Sequence, residues 1–427
     1  MKIIQKSQLT SFGGINFVFD ELIRLKIDKV LNNYLPCMPT QAQYSWKDVF
    51  FSYWSIFLSG GDCAEDISKN LRSVFCNNPL VQAPSPDRLL ERLKGLAEPK
   101  MLIEKNRAKT INEFSLNDKL SDLNLAIYKK LRLSNQEKLV LDYDNTVIFT
   151  EKSDSRRTYQ KESGYVPGVG IIGNDVVYIE NRNGNSAPHT FQEDTMERMF
   201  EKLKSYNITI DTFRADSASY QFLTVAAVAK CTNRFFIRAR MSNSLYDAIL
   251  KIKDWKKIET VKGIIYRSST TFVPFKRAAR DYKLEDLLQE YRVVVTKETR
   301  RDGQLDLFTN EACIYSAIVT NDFEMTDDDV VFFYNQRGTQ EREFDALKND
   351  FGWNKLPFSK LEQNTVFLYL TAICKNIYNY LISHFSKIVN GLNPNFRLKK
   401  FIFRFICVPA KWIKSGRQYK LKVYGFG

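Results

Sequence analysis

The segment "KLVLDYDNTVIF" (138–149) constrains the fold more than any other, because it sets two carboxylates into an apolar, β-branched run. That pattern reads as a buried strand. Desolvating an unpaired carboxylate costs several kcal/mol, so Asp142 and Asp144 need a partner or a ligand. "GVGIIGNDVVYIENR" (168–182) continues as a hairpin turning at Gly173-Asn174. A helix over about 193–206 follows, then a strand "ITIDTFRADS" (208–217), a helix "YQFLTVAAVAKC" and a strand "RFFIRARM" (234–241). Strands in succession, then alternating with helices, predict a mixed α/β sheet with helices on its faces.

Residues 1–135 read as an all-helical module. "FVFDELIRLKIDKVLNNYL" (17–35) and "WKDVFFSYWSIFLSG" (46–60) carry helical spacing; Asp62 is placed to cap "CAEDISKNLRS", and Pro86 sits in the first turn of "PSPDRLLERLKGL" (84–96). The sheet pattern occupies 136–244. Residues 245–325 hold β-rich pieces ("KGIIYRSSTTFVPF", "YRVVVTKET", "LDLFTNEACIYSAIVTND") and are too long for a loop, which predicts an inserted subdomain. Over 326–395, Thr326 caps a helix with Asp327, Asp328 and Asp329 in its first turn, and a long apolar helix spans 365–385. The tail, 396–427, alternates bases with aromatics.

Charge narrows the partners. The 427 residues hold 63 Lys+Arg against 49 Asp+Glu, a formal charge of +14, which suits a polyanion such as nucleic acid. There is no CxxC pair among the seven cysteines, and the two histidines, His189 and His384, argue against a Cys/His zinc site. Any metal would be held by carboxylates, hence Mg²⁺ or Mn²⁺. The chain shows neither a signal peptide nor a membrane span, so a cytoplasmic protein is expected.

Asp144 and Asp216 each stand near the end of a predicted strand, where ligand sites of α/β sheets gather. Far along the chain, Tyr334, Arg337, Glu341 and Lys348 advance by three, four and seven positions, which on one helix puts all four on one face. Two cations around one carboxylate suit a metal ligand flanked by groups that grip phosphate; a solvated face of ion pairs is the plain alternative. Three convergent carboxylates would hold two cations about 3.5–4 Å apart.

The spacing Tyr-x2-Arg-x3-Glu-x6-Lys resembles the bacterial insertion-sequence DDE transposases of the Tyr-Arg-Glu-Lys signature group. "DNT" (144–146) resembles their first block and "FRADSAS" (213–219) their second. "RNGN" (182–185) resembles an element between them, with Asn183 in place of proline. "SGGDCAEDISKNLR" (59–72) and "PSPDRLLERL" (84–93) look like N-terminal blocks of one branch, so the likeness spans about residues 10–410. It implies a ribonuclease-H-like mixed sheet with flanking helices, a β-rich insertion and a preceding helical DNA-binding domain. It further implies catalysis by Asp144, Asp216 and Glu341 on two Mg²⁺ or Mn²⁺ ions. DNA-phosphate contacts would come from Tyr334, Arg337 and Lys348, with auxiliary roles for Asp142, Arg182, Asn185 and Arg214. Implied partners are terminal inverted repeats and target DNA, bound by a synaptic homodimer associated with the nucleoid. Related enzymes capture a flipped base with tryptophan; Trp255 is the candidate here, whereas the residue after Arg337 is Gly338.

Two other readings compete. "LDYDNT" also fits the Asp-x-Asp-x-Thr motif of haloacid-dehalogenase-type phosphatases, with Asp142 as nucleophile and Asp327–Asp329 as the acidic partners. A catalytically inactive DNA-binding relative would keep the charge and lose the chemistry. Under the first rival Asp142 is the nucleophile; under the transposase reading it shares a strand face with Asp144 and is either a supporting group behind the site or an auxiliary ligand.

Overall fold

The structure, a computed structural model, describes residues 9–104, 111–132, 138–261, 263–300, 302–305 and 311–425. Helices α1 (Ile15–Arg24), α2 (Ile27–Tyr34), α3 (Trp46–Leu58), α4 (Asp66–Lys69), α5 (Arg72–Phe75) and α6 (Pro86–Lys94) open it. Strands β1 (Met101–Glu104) and β2 (Ile111–Ser115) and helix α7 (Asp118–Leu131) follow. The expected helix over 17–35 is broken because Lys26 takes a left-handed conformation between α1 and α2. Ser45 and Ser85 cap α3 and α6, the latter with Pro86 in its first turn as the sequence suggests. Asp62 is not the cap expected of it: Asp66 Oδ2 accepts the Asp62 and Cys63 N–H groups (3.0 and 3.3 Å), and Asp62 pairs with Lys355.

Next come β3 (Leu139–Asn145), the short β4 (Ile148–Phe149), β5 (Arg156–Arg157) and β6 (Ser163–Tyr165), and the hairpin β7 (Gly168–Ile172) and β8 (Asp175–Arg182). Gly173 turns that hairpin at φ +61°. Helix α8 (Gln192–Ser205), β9 (Ile210–Ala215), α9 (Phe222–Cys231) and β10 (Arg234–Arg238) complete the alternation. The 138–149 strand is two elements, since the chain leaves the main sheet at Thr146 and enters the small sheet β4-β6-β5.

Residues beyond 242 form α10 (Asn243–Ile249), β11 (Lys256–Thr260), β12 (Gly263–Phe272), α11 (Lys276–Tyr282), β13 (Tyr291–Thr299) and β14 (Cys313–Thr320). Lys262 and 306–310, within two of the expected β pieces, lie outside the described residues. The chain ends in α12 (Asp327–Asn335), α13 (Thr339–Asn349), α14 (Leu361–Phe385), α15 (Leu398–Phe401), β15 (Ala410–Ser415) and β16 (Gln418–Val423).

One mixed sheet runs through the molecule in the order β1-β2-β8-β7-β3-β9-β10-β14-β13-β12-β11. Strands β3, β9 and β10 are parallel; the pairings outside them are antiparallel. Two expectations change. The 245–325 segment is β-rich, but β14 pairs with β10, so its strands lengthen the central sheet. Residues 1–135 are not all helical, because β1 and β2 add to the opposite side along β8.

Helix α14 is mostly apolar and buried along most of its length because it is enclosed. The N-terminal helices pack on it from one side and β7 and β8 from the other, in one core holding Trp54, Phe57, Ile179 and Leu370. Trp54 Nε1 donates to the Leu370 carbonyl (3.0 Å). Its polar residues serve the backbone edge of β8 that β2 does not reach. Asn376 accepts from the Val176 N–H and donates to its carbonyl (both 2.8 Å), and the Tyr369 hydroxyl donates to the Ile179 carbonyl (2.8 Å). Replacing Asn376 by Leu leaves the Val176 N–H and Asn124 Oδ1 without these partners. We expect a loss of about 1–3 kcal/mol for each orphaned group, read from denaturant unfolding. Among the described residues, no helix is long and apolar enough to cross a membrane.

Candidate active site

Parallel pairing brings the first two carboxylates together. Tyr143 on β3 lies beside Ala215 on β9, so the next residues, Asp144 and Asp216, leave the carboxyl ends of adjacent strands. Asp144 Oδ1 accepts the Asn145 N–H (2.8 Å), and Asp216 Oδ1 accepts the Ala218 N–H (2.9 Å), capping a short 3₁₀ turn. Burial raises the Asp144 carboxyl to about 6; the Arg337 guanidinium opposes that rise and the Asp216 carboxylate adds to it.

Two residues earlier on each strand a second pair lies deeper. Arg214 donates from Nε and Nη2 to the two oxygens of Asp142, both at 2.7 Å, and from Nη1 to the Phe333 carbonyl (2.6 Å). Its guanidinium stands 4.8 Å from the Phe333 ring centre. This buried bidentate pair ties β3 to β9 and both to α12. It also removes the phosphatase alternative's nucleophile: Asp142 is 2% exposed with both oxygens covered by a cation.

The Tyr-Arg-Glu-Lys residues do not share one continuous helix. A 3₁₀ turn, Gln336–Gly338, separates α12 from α13. Tyr334 is buried on α12, its hydroxyl 3.4 Å from the Ala215 carbonyl. Arg337 sits in the turn with Nη2 2.7 Å from Asp144 Oδ2. That ion pair engages Nη2, while Nε of Arg337 is buried without a hydrogen-bond acceptor among the described residues. Glu341 is exposed in the first turn of α13. Its carboxylate does not join the other two: among the described residues, the one acidic or cysteine trio with ligand atoms within 4.8 Å of one another is Asp62, Cys63 and Asp66. Those three form the exposed turn that Asp66 caps.

Lys348, two turns beyond Glu341, enters a cleft of about 400 Å³ between α13 and the end of α3, shared with Gly60, Gly61, Lys355 and Lys399. Burial holds its ammonium below the usual lysine value. Lys399 belongs to the basic tail, whereas sequence reasoning missed Lys355, which stands outside any motif and pairs with Asp62, and Arg238, exposed at the carboxyl end of β10 near Tyr334.

The other expected auxiliaries have structural bonds. Arg182 is buried, donating to the Pro188 and Thr190 carbonyls. Asn185 donates to the Ile111 carbonyl (2.9 Å), and Asn183, in the proline position, bonds Glu113 and the Asp154 carbonyl. Trp255 packs edge-on against Tyr315 beneath Lys297, so its ring is not freely presented for a base.

The donor set fits hard divalent cations in part: two converging carboxylates with nearby donors for an anion, and a third carboxylate one helical turn beyond Arg337. Residues 7–424 match the family model described as "Transposase DDE domain group 1". No curated protein matches the sequence. Among solved structures the chain is similar to the "Cryo-EM structure of piggyBac transposase synaptic complex with hairpin DNA (SNHP)". Identity is 10% over 93% of this chain and 79% of that one, with a TM-score of 0.44, too distant a likeness to guide function.

Proposed function

The chain belongs to the DDE transposase family, and from that premise we propose that it binds the terminal inverted repeats of its own insertion sequence, cuts at the element ends and joins the freed 3′ ends to target DNA. The observation that carries this reading is the emergence of Asp144 and Asp216 from adjacent parallel strands beside the Arg337 guanidinium, which pairs with Asp144. The run β8-β7-β3-β9-β10, antiparallel then parallel, supports a ribonuclease-H-like core. The signature spacing supports the Tyr-Arg-Glu-Lys group.

Asp144, Asp216 and Glu341 are the proposed ligands for two Mg²⁺ or Mn²⁺ ions. When bound, such ions would supply Lewis-acid activation of the attacking oxygen and neutralise the leaving one. Arg337 offers its unpartnered Nε to a scissile-phosphate oxygen while Nη2 faces Asp144. Tyr334 fixes the approach of α12 to β9, and Lys348 contributes a phosphate contact from the neighbouring cleft. The Asp142–Arg214 pair holds the ends of β3 and β9 in register. Water attacks the end phosphodiester in line and its 3′-oxygen leaves, giving a 5′-phosphate and a free 3′-hydroxyl. That hydroxyl then attacks a target phosphodiester, whose own 3′-oxygen leaves, so each step makes one P–O bond as it breaks another without a covalent enzyme intermediate. Concerted cutting at two ends implies a synaptic homodimer.

The test is the DNA flanking the gene: inverted repeats bounded by short direct duplications are expected, and their absence on both sides would count against an element-specific transposase. Arg337→Ala and Lys348→Ala should each weaken binding to that end DNA. Each should also flatten the dependence of log K on log salt by about 0.9, one phosphate contact's share. Fluorescence anisotropy across a salt series measures both effects.

A further inference from the structure

Charge is distributed very unevenly along this chain. Residues 363–427 contain eleven Lys or Arg and no Asp or Glu, against a net +14 for the whole protein. Five of those cations, Lys411, Lys414, Arg417, Lys420 and Lys422, fall on the hairpin of β15 and β16. Among the described residues none of the five has an acidic partner. The hairpin is a separate two-stranded sheet, with Gly416 (φ +64°) opening its two-residue turn.

Its two faces differ. Trp412 and Leu421 form one cross-strand pair and Ala410 and Val423 another, facing the body; Trp412 Nε1 donates to Asn16 Oδ1 (3.0 Å). On the opposite face Lys411 pairs with Lys422, and Ile413 with Lys420. Like charges directly opposed across strands are destabilising, and an isolated hairpin is marginal in water. A structure that retains such a pair gains when a polyanion neutralises it.

The root, by contrast, is fixed. The Gly13 N–H donates to the Val408 carbonyl (2.7 Å), the Gly14 N–H to that of Ile406 (3.1 Å), and Thr10 bridges Ala410. A Cβ on Gly14 would run into the Phe405 carbonyl oxygen, so only glycine permits this approach. Lys414 over Tyr419 (5.4 Å) and Lys422 over Tyr424 (5.1 Å) hold two ammonium groups on aromatic rings.

We infer that this ribbon is a duplex-DNA docking element, gripping backbone phosphates through Lys411, Arg417, Lys420 and Lys422. A two-stranded ribbon is the size the major groove of B-DNA admits. The inference rests on the transposase reading for its biological setting, not for its chemistry.

The test uses the full-length protein, a duplex of arbitrary sequence and no divalent cation. Lys411→Ser, Arg417→Ser, Lys420→Ser and Lys422→Ser combined should flatten the salt slope by about 3. Between 50 and 200 mM salt the wild type would then lose roughly 10–100-fold more affinity than the variant. The melting temperature should not fall, since a repulsive pair is removed. Arg at the three lysine positions should keep the wild-type slope. An unchanged slope in the Ser variant, or wild-type binding to anionic phosphatidylserine vesicles with none to duplex, would overturn the inference. Asp216→Asn separates the two readings, because it should abolish end cleavage yet keep the wild-type slope. Normal cutting by Asp216→Asn would sink the catalytic reading and leave the ribbon standing.

Discussion

Substituting Asn for Asp144 or Asp216 is expected to lower cleavage of element-end DNA by about 10³-fold or more while binding to that DNA stays within a few-fold of wild type. The two carboxylates leave neighbouring parallel strands, and the Asp216 carboxylate lies close enough to help raise the Asp144 carboxyl. Removing either takes a charged oxygen ligand from the same small volume. Loss of several kcal/mol of transition-state stabilisation corresponds to that factor, each tenfold being about 1.4 kcal/mol. Asn preserves shape, and in the Asp216→Asn variant the amide oxygen would still cap the Ser217–Ser219 turn, so the fold should survive. Single-turnover cleavage and anisotropy on the same DNA separate chemistry from binding. A variant cutting at the wild-type rate would remove that residue from the site.

The second large effect concerns stability. Arg214→Ala should cost about 3–5 kcal/mol, because it strands the Asp142 carboxylate, whose side chain is 3% exposed, without its cation. The Phe333 carbonyl loses a donor in the same change. Replacing both partners, Arg214→Met with Asp142→Leu, should recover most of the loss, since burying two apolar groups of similar volume carries no uncompensated charge. Denaturant unfolding of the two variants gives the comparison directly. If Arg214→Ala were as stable as wild type, the pair would not be holding β3, β9 and α12 together. The double variant should still cut poorly if Arg214 positions Asp144 and Asp216 through strand register.

The local elements were legible in the sequence because their signals are local. The 168–182 hairpin announces itself through Gly173, the α12 cap through Thr326 and three aspartates, and the strand ends through Asp144 and Asp216. What was hidden depends on pairing between distant segments. Nothing in "LDLFTNEACIYSAIVTND" says that β14 will pair with β10 and continue the central sheet. The apolar run of α14 reads as a buried helix, but only the assembled core shows the N-terminal helices wrapped around it. The expectation of one continuous helix through Tyr334, Arg337, Glu341 and Lys348 failed because the 3₁₀ turn Gln336–Gly338 separates α12 from α13. The partnership of Arg214 with Asp142 was likewise invisible until β3 and β9 were paired in register.

Glu341 is the residue on which the three-carboxylate site depends most, since it stands one turn beyond Arg337 and apart from Asp144 and Asp216. The most direct measurement is therefore divalent-dependent cleavage of element-end DNA by wild type and Glu341→Gln, with the cut positions sequenced. The predicted result is wild-type nicking at the element ends that requires Mg²⁺ or Mn²⁺, and a loss of about 10³-fold in Glu341→Gln with DNA binding retained. Wild-type rates in Glu341→Gln, or cleavage that persists after chelation of divalent cations, would contradict a site built from Asp144, Asp216 and Glu341.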